Sequence, residues 1–302
     1  MRLAILFSGQ GGQRPEHWQQ LAREADGELR AALVARLPSL ADPAFVPDAD
    51  FLAANAVAQP LIVAQQLALW SALRERLPRP ICAAGYSLGE LSACAAAGVM
   101  TPAAAVALAG ERAHLMDEVA TGGMLAVLSL DEALVAGIAA AHGLAIAIRN
   151  APRHVVLAGP AAGMAPVAAA LSEAGASRLV PLAVRTPSHT PLLASAAEGF
   201  RQRLAGLPEK RLAFPVLSAI DATSARTVSV AVDALARQIC TPLDWAACLE
   251  AVVELQPDAV LEIGPGSALA KLFAELAPAI PVRASDDFRS IDGIVRWLDS
   301  CA

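Results

Sequence analysis

Gly85-Tyr86-Ser87-Leu88-Gly89 stands between a short apolar run, 80–85, and a helical pattern, and few folds accept that order. The two glycines permit a turn too tight for a Cβ, so a strand can pass directly into a helix with the serine at the apex. There the hydroxyl faces a helix N-terminus, whose free N–H groups favour developing negative charge. A G-x-S-x-G match also arises by chance in a chain this rich in alanine and glycine. The strand–turn–helix context is what singles out Ser87 as the candidate nucleophile.

The segments around this turn alternate between strand and helix patterns. Leu3–Phe7 reads as a buried strand ending in the turn Ser8-Gly9-Gln10-Gly11-Gly12-Gln13, and 60–76 as a helix. Helical patterns follow the serine to about residue 119, and 258–263 reads as a strand ending in Gly264-Pro265-Gly266. Strands alternating with helices predict an α/β fold with a parallel sheet. Residues 122–184 have another rhythm: strand 124–129, helix 131–141, strands 144–149 and 154–158 joined across Asn150-Ala151-Pro152, helix 164–174 and strand 178–182. That βαββαβ order predicts a ferredoxin-like subdomain. The expected organisation is a large domain from 1–121 and 187–302, with 122–186 inserted.

The chain of 302 residues is 56% hydrophobic, with a mean hydropathy of +0.49. Much of this is alanine. The longest uncharged stretch, 91–110, is long enough to raise a membrane span, but Gly98, Thr101 and Pro102 interrupt it. Two helices are expected there instead, the second capped by Thr101 with Pro102 at its first position. The apolar run at the N-terminus is too short for a signal-peptide core. Five cysteines, without a C-x-x-C pair, argue against disulfides and structural zinc and fit a reducing cytoplasm. A net charge of −6 offers no field for nucleic acid.

A serine nucleophile needs a base. Of His17, His114, His142, His154 and His189, the last lies in the proline-flanked loop Arg185-Thr186-Pro187-Ser188-His189-Thr190-Pro191. Such a loop presents side chains well. His189 is the favoured base, while His114, near Arg112 on one helix, reads equally well as a surface residue.

Seven segments, in order, resemble the malonyl-CoA:acyl-carrier-protein acyltransferases. They are 7–13, Gln59-Pro60, 85–90, Arg112 to Met116, Asn150-Ala151-Pro152 followed by 155–159, Pro187-Ser188-His189, and Glu262 to Gly266. The resemblance implies an α/β-hydrolase-like large domain with a ferredoxin-like insert. It implies a dyad of Ser87 and His189, the histidine oriented by a backbone carbonyl. It places the oxyanion hole at the backbone N–H groups of Gln10 and Leu88. It assigns Arg112 to the free carboxylate of malonate, with Gln59 and Asn150 lining the pocket. A guanidinium suits that task because it binds a carboxylate through two parallel hydrogen bonds, which lysine cannot match. The implied substrates are malonyl-CoA and an acyl carrier protein with a phosphopantetheine-type arm, with no metal or redox cofactor.

Two positions depart from the family. Tyr86 replaces the histidine of the elbow, and Asp244 stands where bacterial members often carry glutamine, which makes it the expected group orienting His189. The G-Y-S elbow and the S-G-Q-G-G-Q turn most resemble the acyltransferase subunit of malonate decarboxylase. Two rivals remain open on sequence. A plain α/β-hydrolase would draw its acid from Asp117 or Asp131, between Ser87 and His189. A non-catalytic carrier-binding module would leave Ser87, His189 and Arg112 without a joint purpose.

Overall fold

The computed structural model describes residues 1–24, 27–42 and 44–301. Its strands are β1 (Leu3–Phe7), β2 (Cys82–Gly85), β3 (Gly123–Leu128), β4 (Ala145–Ala151), β5 (His154–Gly159), β6 (Arg178–Pro181), β7 (Arg211–Leu217), β8 (Ser224–Thr227), β9 (Leu243–Asp244), β10 (Ala259–Ile263) and β11 (Val282–Ala284). The large sheet runs β11-β10-β1-β2-β7-β8. Its strands are parallel except for the edge pair β7–β8.

Because side chains alternate across a strand, β1 feeds two cores at once. Leu3, Ile5 and Phe7 pack under the helices of one face, with Leu61, Ile62 and Leu91. Ala4 and Leu6 face the other way, with Trp245, Phe273 and the small-sheet residues Met124, Ile148 and Val156. All five β1 residues are buried, as a central parallel strand requires.

The second sheet runs β6-β3-β5-β4-β9. The helices Glu132–Ala141 and Ala161–Glu173 cover its outer face, where Val127, Val135, Val155 and Leu171 form a third core. The arrangement of β3 to β6 with these two helices is the expected ferredoxin-like subdomain. The fifth strand, β9, was not anticipated. It comes from 243–244, counted on sequence within the large domain, and pairs parallel with β4. Two residues are too short to carry a strand signal.

The two-helix reading of 91–110 holds. Gly89–Ala96 ends before Gly98, whose φ is +93°, and Thr101 caps Pro102–Val119 by accepting from the Ala104 N–H. The earlier helix departs from expectation. It begins at Asn55 rather than Pro60, so Pro60 sits inside Asn55–Leu73. This helix is long and apolar enough to cross a membrane, but 67% of its apolar 18-residue window is buried within the protein. All five cysteines are free thiols.

Candidate active site

Ligands of open α/β sheets collect beyond the C-terminal ends of the parallel strands. Here β1 ends at the Gln10 turn, β2 at Ser87, and β10 at Gly264-Pro265-Gly266. The chain turns at Ser87 with φ +53°. Tyr86 N–H donates to Phe7 O at 2.9 Å, and Gly89 N–H to Tyr86 O at 3.0 Å. A Cβ on Gly85 would meet the backbone of Glu90, and one on Gly89 would meet Phe7 O. Both glycines are therefore demanded by close approach of main chain to main chain.

His189 arrives from the opposite side, also left-handed, with φ +62°. Its N–H donates to Ile239 O at 2.9 Å, and Thr190 Oγ1 holds Pro187 O at 2.7 Å, which fixes the loop. The imidazole lies between two oxygens, Gln238 O at 2.5 Å from Nδ1 and Ser87 Oγ at 2.9 Å from Nε2. A carbonyl only accepts, so Nδ1 carries the proton and Nε2 is free to take one from the serine. Burial pushes the His189 pKa down to about 3; the Gln238 carbonyl opposes this and the Arg112 charge adds to it. At neutral pH the ring is an uncharged base.

The carbonyl that orients His189 belongs to Gln238, not Asp244. The Asp244 carboxylate caps the helix Trp245–Glu254 by accepting from the Ala247 N–H at 3.0 Å, and its own N–H binds Ala219 O. The glutamine that the family pattern leads one to seek is thus present six positions earlier. Nothing in the surrounding Arg237-Gln238-Ile239 marks it, because the work is done by a main-chain atom. Its side chain also matters: Nε2 donates to Ser87 O at 3.1 Å and to Glu90 Oε2 at 3.2 Å.

Arg112 is 2% exposed. One arm donates to Gln59 Oε1 at 2.9 Å, and Nη2 reaches to 3.5 Å from Ser87 Oγ. Among the described residues it forms no ion pair. Burial lowers its pKa to about 10, with Glu90 acting in the other direction, so it remains a cation at neutral pH. Gln59, held also at Met116 Sδ, positions this guanidinium.

On the facing side, the Gln10 side chain donates to Asn55 Oδ1 at 3.0 Å, and Asn55 reaches Asp117 at 2.7 Å and Thr186 Oγ1 at 3.3 Å. The backbone N–H groups of Gln10 and Leu88 have no acceptor among the described residues. Among the described residues no hydrogen bond joins Asn150 to Ser87. Its Nδ2 lies 3.3 Å from His154 Nε2, and its amide approaches the Tyr86 hydroxyl instead. Tyr86 is packed edge-on against Trp245, behind the elbow.

Neither acid of the hydrolase alternative meets His189. Asp117 binds Asn55, and Asp131 caps the helix Glu132–Ala141. Among the described residues there is no cluster of three or more His, Cys, Asp and Glu able to hold a metal.

A serine beside a neutral imidazole that is held by a main-chain oxygen, rather than by an acid, is an arrangement suited to acyl transfer through a serine ester. The chain belongs to the acyl transferase domain family, whose model matches residues 6–277. It is 31% identical over 300 residues to the malonyl CoA-acyl carrier protein transacylase of Salmonella typhimurium, covering 95% of this chain and 96% of that one. The enzyme of the same name from Bacillus subtilis is 29% identical over 311 residues, 98% and 97% of the two chains. The crystal structure of the malonyl-CoA:acyl carrier protein transacylase of Xanthomonas oryzae superposes with a TM-score of 0.88 at 29% identity, covering 99% and 98%. A type II polyketide malonyl-transacylase, solved in complex with its acyl-carrier protein, gives 0.87 at 29% identity over 98% and 99%.

Proposed function

We propose that this chain carries a malonyl group from malonyl-CoA, through a malonyl ester of Ser87, to the thiol of an acyl carrier protein. The observation that carries the reading is Arg112: a buried cation that forms no ion pair among the described residues, reaching to 3.5 Å from the nucleophile. A buried charge without an ion-pair contact is costly, so such a group calls for an anionic substrate. A malonyl thioester places its free carboxylate at the guanidinium while its carbonyl carbon lies at Ser87 Oγ.

His189 Nε2 takes the Ser87 proton as Oγ attacks the thioester carbon. The oxyanion is met by the N–H groups of Gln10 and Leu88. Collapse breaks the C–S bond, and His189 returns the proton to the departing coenzyme A thiolate. The carrier thiol, at the end of a phosphopantetheine-type arm, then attacks the malonyl ester by the same path in reverse. No metal or redox group takes part in these steps. The relatives' printed names, which pair malonyl CoA with acyl carrier protein, support this donor and acceptor.

For the carrier, Tyr86 in place of the family's histidine favours that of malonate decarboxylase, in a cytoplasmic setting; the carrier of fatty-acid synthesis is the alternative. The test is intact mass after mixing with malonyl-CoA or acetyl-CoA without carrier. One malonyl adduct, lost in Ser87→Ala and scarce with acetyl-CoA, is expected. Steady release of coenzyme A without an adduct would mean a hydrolase. Turnover of the loaded enzyme with each carrier separates the two settings.

A further inference from the structure

Glu90 is 1% exposed and stands one helical turn after the nucleophile, yet no step above uses it. Its Oε2 gathers two donors, the Ala219 N–H at 3.2 Å and Gln238 Nε2 at 3.2 Å. The same Nε2 donates to Ser87 O at 3.1 Å, while Gln238 Oε1 is buried without a donor. The amide is thus held from one side only, by Glu90 and the main chain of Ser87. The main-chain oxygen of that glutamine is the one bound by His189 Nδ1. Main chain and side chain of one residue therefore join the buried carboxylate to the imidazole.

We propose that Glu90 is a positioning residue for the acyl-transfer base: by holding the Gln238 side chain it fixes the carbonyl that sets the tautomer and aim of His189. The inference rests on Ser87 and His189 acting as a dyad, and it deepens that reading without depending on the identity of the acyl donor.

The chemistry fits a carboxylate at this place. A buried acid without a cation in contact retains its position only if its hydrogen bonds are worth more than its desolvation. Burial raises Glu90 to about 8, the Ala219 N–H pulling it back, Asp221 adding to the rise and the Arg112 charge opposing it. Those are the charged groups facing it, together with the buried thiols Cys94 and Cys248. An acceptor oxygen toward Gln238 is present in either protonation state, so the hydrogen bond itself is the device. An amide should serve in place of the acid.

The experiment compares Glu90→Gln, Glu90→Ala, Gln238→Ala and the double alanine variant. The first readout is the rate at which a fluorophosphonate labels Ser87, across pH; this reports on activation of the serine whatever the natural acyl group. The second is malonyl-enzyme formation. Misplacement of a catalytic group by a fraction of an ångström to an ångström costs on the order of 10- to 100-fold. Glu90→Ala and Gln238→Ala are expected to slow labelling by about that factor and to move the acid limb of its pH profile. Glu90→Gln, whose amide oxygen still accepts, is expected to restore most of the rate. The double variant is expected to be no slower than either single one, since both break the same chain. Wild-type labelling and pH profile in a folded Glu90→Ala, a Glu90→Gln as slow as Glu90→Ala, or additive losses in the double variant would each overturn the proposal. If Glu90→Ala does not fold, Gln238→Ala and Glu90→Gln carry the test. Brisk labelling of wild type with no malonyl adduct would reject the malonyl reading and leave this one standing to be judged by the variants.

Discussion

Replacing Arg112 by lysine keeps the charge and the approximate length, and so isolates what the planar guanidinium contributes. Arg112 spends one arm on Gln59, at 2.9 Å, and leaves the edge containing Nη2 directed at Ser87. That edge can meet a malonyl carboxylate through two parallel bonds. An ammonium on a shorter, flexible stem reproduces one of them and gives up the Gln59 anchor or the substrate contact to do so. A hydrogen bond to a charged group is worth about 1.5–3 kcal/mol net, so the loss is about 3 kcal/mol, or roughly 10²-fold in kcat/KM. The assay is kcat/KM for malonyl-CoA and acetyl-CoA with the same carrier. Malonyl transfer should fall by about that factor. Acetyl transfer, which presents no carboxylate, should change little. If both fall together, Arg112 supports the fold or the serine and does not read the substrate, and the argument from its unpaired charge fails.

The kcat/KM profile should stay flat from pH 7 to below pH 5, instead of halving near 6.5, because burial holds the His189 pKa down to about 3. The same shift ties stability to pH. The unfolded chain binds a proton near pH 6.5 and the folded one only near 3, so the folded state should lose up to about 1.4 kcal/mol per pH unit as pH falls through that window; denaturant melts of wild type and His189→Gln would show the difference. Asp244→Ala removes a helix cap and should cost about 1 kcal/mol in a thermal melt, leaving the acid limb of the rate profile where it was; a displaced limb would return Asp244 to the base. Gly89→Ala forces a methyl against the Phe7 carbonyl in the central strand, and should cost about 3 kcal/mol or yield no soluble protein; a wild-type melt would mean that the elbow is looser than described.

The parts legible in the sequence were those written in side-chain pattern. β1 announces itself as five apolar residues, and the insert as a change of rhythm beginning at residue 122. Ser87 and His189, whose side chains the structure brings to 2.9 Å, stood out because the residues around them, glycines and prolines, shape the backbone. What stayed hidden was written in the main chain or in distance. Gln238 acts on His189 through its carbonyl, which every residue type possesses, so no residue preference exposes it. The helix at Asn55 begins with a polar residue recruited by Gln10 and Asp117, contacts spanning 45 and 62 positions. Pro60 was read as the start of this helix, which instead begins five residues earlier and takes the proline inside. Asn150 shows the same limit: β4 sets its side chain beside His154 and Tyr86, contacts that its place in the sequence does not announce.

Ser87 and His189 share a backbone feature that neither residue type prefers, a φ of +53° and +62°. Each left-handed non-glycine residue costs roughly 1–2 kcal/mol, because its Cβ crowds the following carbonyl. The surrounding fold pays this at the elbow through Tyr86 N–H on Phe7 O and Gly89 N–H on Tyr86 O, and at the loop through His189 N–H on Ile239 O. The strain therefore sits at the two atoms that must meet, and it is separable from the chemistry. Ser87→Ala and Ser87→Gly are both expected to be inert toward malonyl-CoA, since both lack Oγ. Alanine keeps the Cβ in the left-handed turn, whereas glycine removes it. Glycine also gains freedom in the unfolded chain, which offsets part of the relief. The balance favours glycine here by about 1 kcal/mol, or ~2 °C in the melting temperature of a chain this size. Calorimetry on the two variants decides it. A Ser87→Gly protein melting at or below Ser87→Ala would mean that the turn at the nucleophile is relaxed, and that its geometry is set by the close-packed Gly85 and Gly89 alone.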